Sequence, residues 1–407
     1  MAQKTILSAI AGGTVTAPRG FLAGATHIGL KAGAKDSPDL GILYSQVPCT
    51  AAGVFTSSKI KAAPVILCQR HISDGKAQAI VVNAGCANAC TGERGLDDAA
   101  EMAALAARKL GIAPQEALVA STGLIGASLP MEPIRAGIEA ISPSGEGGHE
   151  LARAILTTDT SHKQIAVAVE LDGSRFTVAG IAKGAGMIHP NLATLLCFLT
   201  TDAAVDAGFL SLALQRAVGD SFNMITIDGD TSPNDTFLIL ANGLAGNEMI
   251  AEGALDAEAF QAALGQVCTY LARCIARDGE GATKLIEVSV EGGLTSADAR
   301  VAARTIASSP LVKAAVHGSD PNWGRIVAAL GRSGAEVATS KVDLYLNDVC
   351  LMKAGCPLPV DGGLLRAAME GTEIAIRVCL NLGQGMATAW GCDLSEEYVT
   401  INSAYTT

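Results

Sequence analysis

Aromatic and charged side chains are both scarce in this 407-residue chain, at 4% and 17% of its residues. Because so few rings are available, we expect the core to be built mainly from Ala, Val, Ile and Leu. The composition is that of a globular protein and excludes disordered and collagen-like chains. The length allows a large core and suggests two or three domains, although one extended architecture is also compatible with it.

Basic and long apolar segments are missing as well. The formal net charge is −11, and no basic run is interleaved with aromatic residues, which argues against nucleic-acid binding. The N-terminus has no basic segment followed by an apolar stretch, and no run approaches the roughly 20 apolar residues of a membrane span. We therefore expect a cytoplasmic enzyme that binds neither nucleic acid nor a membrane.

The eleven cysteines are an odd number, and they are spread from Cys49 to Cys392 in apolar or glycine-rich settings. This pattern favours reduced, buried thiols over a disulfide framework. Cys86 and Cys90 have a spacing found in metal sites, but no second pair of ligands lies near them in sequence. We expect these two to pack in the core and predict no metal site.

Residues 180–202, near the middle of the chain, combine two features of chemical interest. Lys183 lies among glycines, which lets the backbone approach another group closely. The apolar run 192–199 follows a turn-forming His-Pro-Asn step and contains one hydroxyl, that of Thr194. Taken alone, this run is a buried strand or helix whose threonine bonds to a nearby carbonyl.

The string KGAGMIHPNLATLL, residues 183–196, closely resembles the self-cleavage signature of the ornithine acetyltransferase family, the glutamate N-acetyltransferases of the cyclic arginine pathway. The resemblance extends over essentially the whole chain. Each further string is weak alone, but their order and spacing together are specific. They are residues 83–92, 121–126, 157–160, 228–236, 320–325 and 402–407.

The resemblance implies that the chain cuts its own Ala193–Thr194 bond. The products are an α chain of residues 1–193 and a β chain of residues 194–407 that begins with the nucleophile Thr194. A threonine hydroxyl is a poor nucleophile, but the adjacent free α-amine, with a reference pKa of about 7.7–8.0, can accept its proton near neutral pH. One residue then supplies both nucleophile and base.

The resemblance also assigns the other site residues. Thr122 and Gly123 correspond to the oxyanion hole, which stabilises the charge on the carbonyl oxygen of a tetrahedral intermediate. The expected substrate-binding residues are Thr157, Lys183, Thr194, Glu280, Asn402 and Thr407. The short motif around Thr157 leaves open whether Thr158 or Thr160 takes its place.

The implied reaction is ping-pong acetyl transfer from N2-acetylornithine to glutamate through an acetyl ester on Thr194, releasing ornithine and then N-acetylglutamate. It needs no cofactor. The sequence leaves open whether acetyl-CoA is also a donor. Two alternatives stay open: an amidase or aminopeptidase would resolve the acyl-enzyme with water, and an inactive assembly protein would keep the fold without cutting.

The fold implied by the family is an α/β layered sandwich of helices and sheets, formed jointly by the two fragments, which pair into an α2β2 assembly. Residue patterns by themselves support mixed α and β elements. They predict a hairpin from strands 165–171 and 175–181, strands at 221–228 and 398–402, and helices at 97–110, 251–277 and 298–316.

Overall fold

A computed structural model of the chain describes residues 5–31, 36–171, 174–189 and 195–404. Its strands are β1 (Ile6–Ala9), β2 (Phe21–Thr26), β3 (Leu40–Phe55), β4 (Lys76–Cys86), β5 (Ala117–Leu124), β6 (Lys163–Leu171), β7 (Ser174–Lys183), β8 (Leu196–Thr201), β9 (Ile225–Thr226), β10 (Thr236–Ala241), β11 (Leu285–Gly293), β12 (Asp343–Leu346), β13 (Val349–Lys353), β14 (Cys356–Pro357), β15 (Glu373–Cys379) and β16 (Gly385–Cys392). Its α-helices are α1 (Ala63–His71), α2 (Gly92–Leu110), α3 (Met131–Ala140), α4 (Gly148–Ala154), α5 (Ala207–Asp220), α6 (Ala257–Arg277), α7 (Ser296–Ala307), α8 (Pro310–His317), α9 (Gly324–Gly331), α10 (Gly362–Ala368) and α11 (Glu396–Ala404).

The strands form two sheets in the described part of the chain. The first has the order β1-β6-β7-β8-β10-β3-β4-β5, with β2 also paired to β3. The second has the order β14-β13-β12-β15-β11-β16-β9. The predicted α/β class is therefore confirmed, and the first sheet takes strands from both sides of position 194.

The long strand β3 has three partners in the first sheet. Residues 40–45 of β3 pair with β2, residues 40–44 and 49–50 pair with β4 on either side of a register shift, and residues 50–55 pair with β10. The ends of β5 and β7 meet although four strands separate them in the sheet order. Lys183 Nζ on β7 lies 3.4 Å from Thr122 Oγ1 on β5.

Helix α6 connects the two sheets, and α5 packs on α6 and on β3. The helix α6 contacts β6 and β7 of the first sheet and β16 and β9 of the second. The buried residues of α6 recur at helical spacing along its length, as is typical of an amphipathic helix packed against neighbouring layers. Phe260 on α6 is fully buried, and its ring centroid lies 6.1 Å from that of Phe176 and 6.0 Å from that of Phe209. The core therefore joins elements from both sides of position 194.

Two of the predicted helices are confirmed and a third is divided. The helix α2 ends at Gly111, which has the left-handed φ of 71° expected of a C-terminal cap. Helix α6 covers most of 251–277. The single helix predicted over 298–316 is instead two, because Pro310 lacks an N–H and forces extended backbone on Ser309, with φ −70° and ψ 116°.

Two predicted strands are wrong. Within 221–228, Phe222–Met224 is a 3₁₀ turn and β9 has two residues. The segment 398–402 belongs to the helix α11. Its β-branched residues favour a strand locally, but Glu396 and Glu397 stabilise the helix N-terminus by their charge. The Ser395 hydroxyl oxygen also accepts the Tyr398 N–H at 3.3 Å.

The predicted β6–β7 hairpin is present, with Leu171 opposite Ser174 in antiparallel register. All eleven cysteines are free thiols, and six of them are buried. The expectation that all are buried is wrong for Cys90 and Cys356, which are exposed, and for Cys274, Cys350 and Cys379, which are half-buried. No helix in the described ranges is long and apolar enough to cross a membrane.

We predict that Phe260→Ala destabilises the fold by about 3–5 kcal/mol, because it leaves a cavity between helix and sheet. The measurement is the loss of folded signal in thermal and denaturant unfolding. Tyr270→Ala on the same helix is the control, since Tyr270 is 46% exposed. Equal effects of the two substitutions would contradict the assigned packing.

Candidate active site

The structure brings the described predicted site residues together in one cleft. They are Thr122, Gly123, Thr157, Lys183, Glu280 and Asn402. A wider groove runs along α6, but none of these residues lines it. Convergence of groups from distant parts of the chain, and not size, makes the smaller cleft the candidate site.

Thr122 and Gly123 lie near the C-terminal end of β5, which pairs in parallel with β4. Gly123 has φ 121°, and a Cβ on it would approach the Gly85 carbonyl carbon to 2.4 Å. A larger residue would therefore strain this corner or displace the neighbouring strand. The corner places a hydroxyl and a glycine backbone at the wall of the cleft.

Lys183, the last residue of β7, is 4% exposed. Its Nζ donates to Thr157 Oγ1 at 2.7 Å and to Thr122 Oγ1 at 3.4 Å. Because Thr122 Oγ1 accepts this bond, the Thr122 O–H stays available to donate to another group. Burial lowers the pKa of Lys183, and the carboxylate of Asp159 acts in the opposite direction.

A buried set of alternating charges surrounds this lysine. Asp159 Oδ1 accepts from Lys163 Nζ and from Gly184 N–H, both at 2.7 Å, and Asp159 Oδ2 lies 3.8 Å from Lys183 Nζ. Lys163 Nζ also donates to Asp278 Oδ2 at 2.5 Å. Burial alone would raise the pKa of Asp159, but the two lysines and the hydrogen bonds lower it to about 2.

Glu280 and Asn402 add a second polar wall. Asn402 Nδ2 donates to Glu280 Oε2 at 2.8 Å, and the Glu280 N–H donates to the Ala185 carbonyl at 2.9 Å. A Cβ on Gly186 would lie 2.5 Å from Glu280 Oε2, so the carboxylate packs directly on that glycine. The cleft thus holds a negative group from Glu280 as well as the positive group of Lys183.

The expected nucleophile Thr194, its cleavage partner Ala193 and the tail residue Thr407 lie outside the described residues. The described chain resumes at Leu195, the residue bonded to Thr194. Its N–H donates to Asp235 Oδ1 at 2.9 Å. The peptide that follows Thr194 is therefore held by a carboxylate that the sequence did not predict.

The strands on either side of the predicted cleavage position are held in register. Lys183 on β7 pairs with Leu196 on β8 in antiparallel register. Upstream of this position, Asp228 accepts the N–H groups of Met187 at 2.5 Å and Ile188 at 2.9 Å. Met187 has a φ of 58°, so this turn is strained and its hydrogen bonds hold it in place. The predicted cleavage segment thus starts and ends at anchored residues beside the cleft.

The motif around Thr157 is also clarified. Thr157 and Thr158 both line the cleft. Thr160 lies elsewhere, and its N–H and hydroxyl both donate to Asp278. This geometry favours Thr157 over Thr160 as the substrate contact and leaves Thr158 beside it.

Several residues of the site were not predicted from the sequence. Those that line the cleft are Ile125, Gly186, Met187, Ser232 and Asn234. Asn234 Nδ2 donates to the carbonyls of Ala87 at 2.6 Å and Ser121 at 2.8 Å, so it ties its loop to the end of β5. Asn234 lies in the string 228–236, which resembles the family but was given no role in the sequence analysis. That resemblance was the signal that could have indicated it.

Comparisons with known proteins show the family of the chain. The ArgJ family model matches residues 22–407. The arginine biosynthesis bifunctional protein ArgJ of Dehalococcoides mccartyi (strain CBDB1) is 52% identical over 405 residues, covering 100% of both chains.

Two solved structures are also similar. The crystal structure of the arginine biosynthesis bifunctional protein ArgJ from Bacillus halodurans is 43% identical and covers 51% of this chain and 97% of that chain, with a TM-score of 0.49. The structure of an ornithine acetyltransferase complexed with ornithine from Mycobacterium tuberculosis is 38% identical and covers 47% of this chain and 100% of that chain, with a TM-score of 0.42.

We predict that Asp159→Asn destabilises the protein by about 3–5 kcal/mol at neutral pH, because two buried lysines lose a shared counterion. The folded pKa of Asp159 is about 2, below its ordinary value. Its contribution is therefore present above a pH of about 4 and is lost as the pH falls toward the folded value.

The measurement is unfolding of the wild type and the variant from pH about 7 down to the lowest pH at which both fold. The exposed Asp97→Asn is the control, with an expected change within about 0.5 kcal/mol. A stability difference that does not shrink with acid would contradict the assigned charge of Asp159.

Proposed function

Since the chain belongs to the ArgJ family, we propose that it transfers an acetyl group from N2-acetyl-L-ornithine to L-glutamate through an acetyl ester on Thr194. It is an enzyme of arginine biosynthesis, as its curated relatives are named. The observation that carries the proposed mechanism is the convergence of Thr122, Gly123, Lys183 and Glu280 in one cleft, where Lys183 pairs with Leu196, two residues after Thr194.

The first half-reaction begins when the Thr194 hydroxyl attacks the acetyl carbonyl carbon and passes its proton to its own α-amine. Thr122 and Gly123 donate to the oxyanion that forms. The Lys183 bond to Thr122 Oγ1 supports this role, since it directs the hydroxyl hydrogen elsewhere. The carbon–nitrogen bond then breaks, the α-ammonium protonates the leaving amine, and ornithine departs.

The second half-reaction reverses these steps with a new amine. The neutral amine of glutamate attacks the ester carbonyl, and the oxyanion forms against the same donors. The α-amine of Thr194 takes a proton from the attacking nitrogen and gives it to the Thr194 oxygen as the ester carbon–oxygen bond breaks. N-acetylglutamate is released and the free enzyme is restored. Because the bound acyl group passes to an amine, the cycle requires that glutamate reaches the ester before water does.

Charges in the cleft suit amino-acid substrates. Lys183 supplies positive charge for a substrate carboxylate, although Thr157, Thr122 and Asp159 already surround its ammonium group. Glu280 supplies negative charge for the side-chain amine of ornithine, and Asn402 orients that carboxylate. Ornithine and glutamate can then occupy one pocket in turn.

Self-cleavage into residues 1–193 and 194–407 is part of the proposal, as are an α2β2 assembly and a cytoplasmic location. The continuity of the first sheet supports joint folding of the fragments, because β8 pairs with β7 on one edge and with β10 on the other. Acetyl-CoA as a second donor is the further activity that the relatives' description as bifunctional suggests for this chain.

We predict that purified protein consists of two fragments separated at the Ala193–Thr194 bond, as measured by intact mass. Thr194→Ala should stay uncut and inactive, whereas Thr194→Ser retains a hydroxyl and should still cut. Thr400→Ala, exposed on α11, is the control. An active protein composed wholly of one chain would disprove the mechanism, and free acetate in place of N-acetylglutamate would indicate a hydrolase.

We predict that Glu280→Gln weakens acetylornithine and ornithine binding by about 1.5–3 kcal/mol, because a charge-assisted contact is lost. Binding of glutamate, which has no side-chain amine, should change less. Steady-state kinetics with each substrate varied separately measures this selectivity. Glu397→Gln, exposed on the neighbouring helix, is the matched control. Equal losses for both substrates would reject the assigned contact.

A further inference from the structure

Three backbone segments pack directly on one another behind Thr122 and Gly123. Gly123 has a φ of 121°, and Gly85, its register partner on β4, has a φ of 116°. A Cβ on Gly123 would lie 2.4 Å from the Gly85 carbonyl carbon, and a Cβ on Gly85 would lie 2.4 Å from the Leu30 carbonyl oxygen. Glycine permits this close approach, but it also leaves the backbone free to rotate. The corner therefore needs a separate restraint on the direction of its peptide groups.

The side chain of Asn234 supplies such a restraint. Its Nδ2 donates to the Ser121 carbonyl at 2.8 Å and to the Ala87 carbonyl at 2.6 Å. Both partners can only accept, so the NH2 group of the amide faces the two strands. One side chain thus joins a carbonyl of β5 to the carbonyl of the residue that follows β4.

Asn234 is itself held in place, and only 5% of its surface is exposed. Its N–H donates to Ser232 Oγ at 3.0 Å, and its carbonyl accepts the Thr236 hydroxyl at 2.8 Å. The Ser232 carbonyl accepts the hydroxyl of Thr56, the residue after β3, at 2.6 Å. The amide of Asn234 is therefore fixed relative to β3 and β10 as well as to β4 and β5.

The bond from Asn234 to Ser121 acts on the peptide that joins Ser121 to Thr122. Because a peptide unit is planar, a bond that fixes the Ser121 carbonyl also fixes the direction of the Thr122 N–H and the position of the Thr122 Cα atom. On its other side, the Ser121 hydroxyl donates to Asn83 Oδ1 at 2.7 Å. Gly123 follows one residue later. The direction of both expected oxyanion donors thus depends on the Asn234 amide.

We propose that Asn234 is a positioning residue for the oxyanion hole: its amide holds the ends of β4 and β5 so that the donors of Thr122 and Gly123 converge in the cleft. Asn234 lines the cleft, but both hydrogens of its Nδ2 bond to protein carbonyls, so it acts through those two residues. Donors that are already oriented stabilise developing charge without reorganisation. This inference rests on the proposed function, since the oxyanion forms only in acyl transfer.

Two substitutions of Asn234 remove the restraint in different ways. Asn234→Asp keeps the size of the side chain but sets a carboxylate oxygen against two carbonyl oxygens, and Asn234→Ala removes the donors without adding charge. In both variants, kcat for acetyl transfer to glutamate should fall at least about tenfold. Ornithine has no acetyl carbonyl and does not use the oxyanion hole, so its Kd, measured by calorimetry, should stay within about twofold.

The matched control is Gln215→Glu, an amide-to-carboxylate change at an exposed position of α5. Intact mass gives the cleaved fraction, to which turnover is normalised. Thermal unfolding reports whether each variant is folded, and all assays are run well below the unfolding temperature of the variant. If Asn234→Asp does not fold, the uncharged Asn234→Ala decides the outcome.

The outcomes distinguish this inference from the function on which it rests. A wild-type protein that transfers no acetyl group from N2-acetylornithine to glutamate would reject the proposed function itself. If the wild type is active and both Asn234 variants turn over like Gln215→Glu, the positioning role is wrong and the proposed function stands.

Two further results would also overturn the inference. A loss of kcat with an equally large loss of ornithine affinity would indicate a general distortion of the cleft. A loss confined to Asn234→Asp, with full turnover in Asn234→Ala, would indicate an effect of the added charge and not of the missing donors.

Discussion

The pairing of β7 with β8 is the constraint on which the rest of the site depends. These antiparallel strands place Lys183 opposite Leu196, so the chain leaves the cleft and returns to it within a short segment. The second edge of β8 is bound to β10, and β10 is bound to β3. A strand held on both edges keeps its place when the chain before it is cut, because its sheet hydrogen bonds do not depend on that bond. Cleavage can thus free an amine without releasing the nucleophile.

The fold must also compensate the buried charges of the site, and it does so by pairing buried lysines with aspartates. Lys183 is buried where it contacts Thr122 and Thr157, and an unpaired buried ammonium group would be costly. Asp159 compensates two lysines, and Asp278 binds the second of them. Asp278 follows the end of α6, the helix that packs between the sheets. The candidate cleft and the hydrophobic core are therefore connected through α6.

The sequence correctly predicted elements that are determined by the residues within them and directly beside them. The β6–β7 hairpin and the Gly111 end of α2 follow from alternation and from glycine, and both are present. Pro310 could have predicted the break between α7 and α8, but the helical periodicity on each side concealed it. The C-terminal helix could not be predicted from its β-branched residues, because the Ser395 hydroxyl that caps it is also bound to the distant Gly281 carbonyl.

The candidate site likewise contains residues that short motifs indicate and a residue that only a long-range contact reveals. Motif resemblance indicated Thr122, Lys183, Glu280 and Asn402, which the fold brings together, although their roles stay proposals. Asp235 was not found, because its partner Leu195 is forty residues away in sequence and a lone aspartate in a loop has no distinguishing pattern. Long-range contacts of this kind become visible in three dimensions.

In the proposed reaction, Thr194 carries the acetyl group between two amines. This step can be observed by rapid mixing of the enzyme with N2-acetylornithine in the absence of glutamate, followed by acid quench, proteolysis and mass spectrometry of the peptide that begins at Thr194. We expect a peptide heavier by one acetyl group, and this mass disappears when glutamate is added as N-acetylglutamate forms. Transfer to glutamate at the full rate, with that peptide never acetylated on the timescale of turnover, would contradict the proposed reaction.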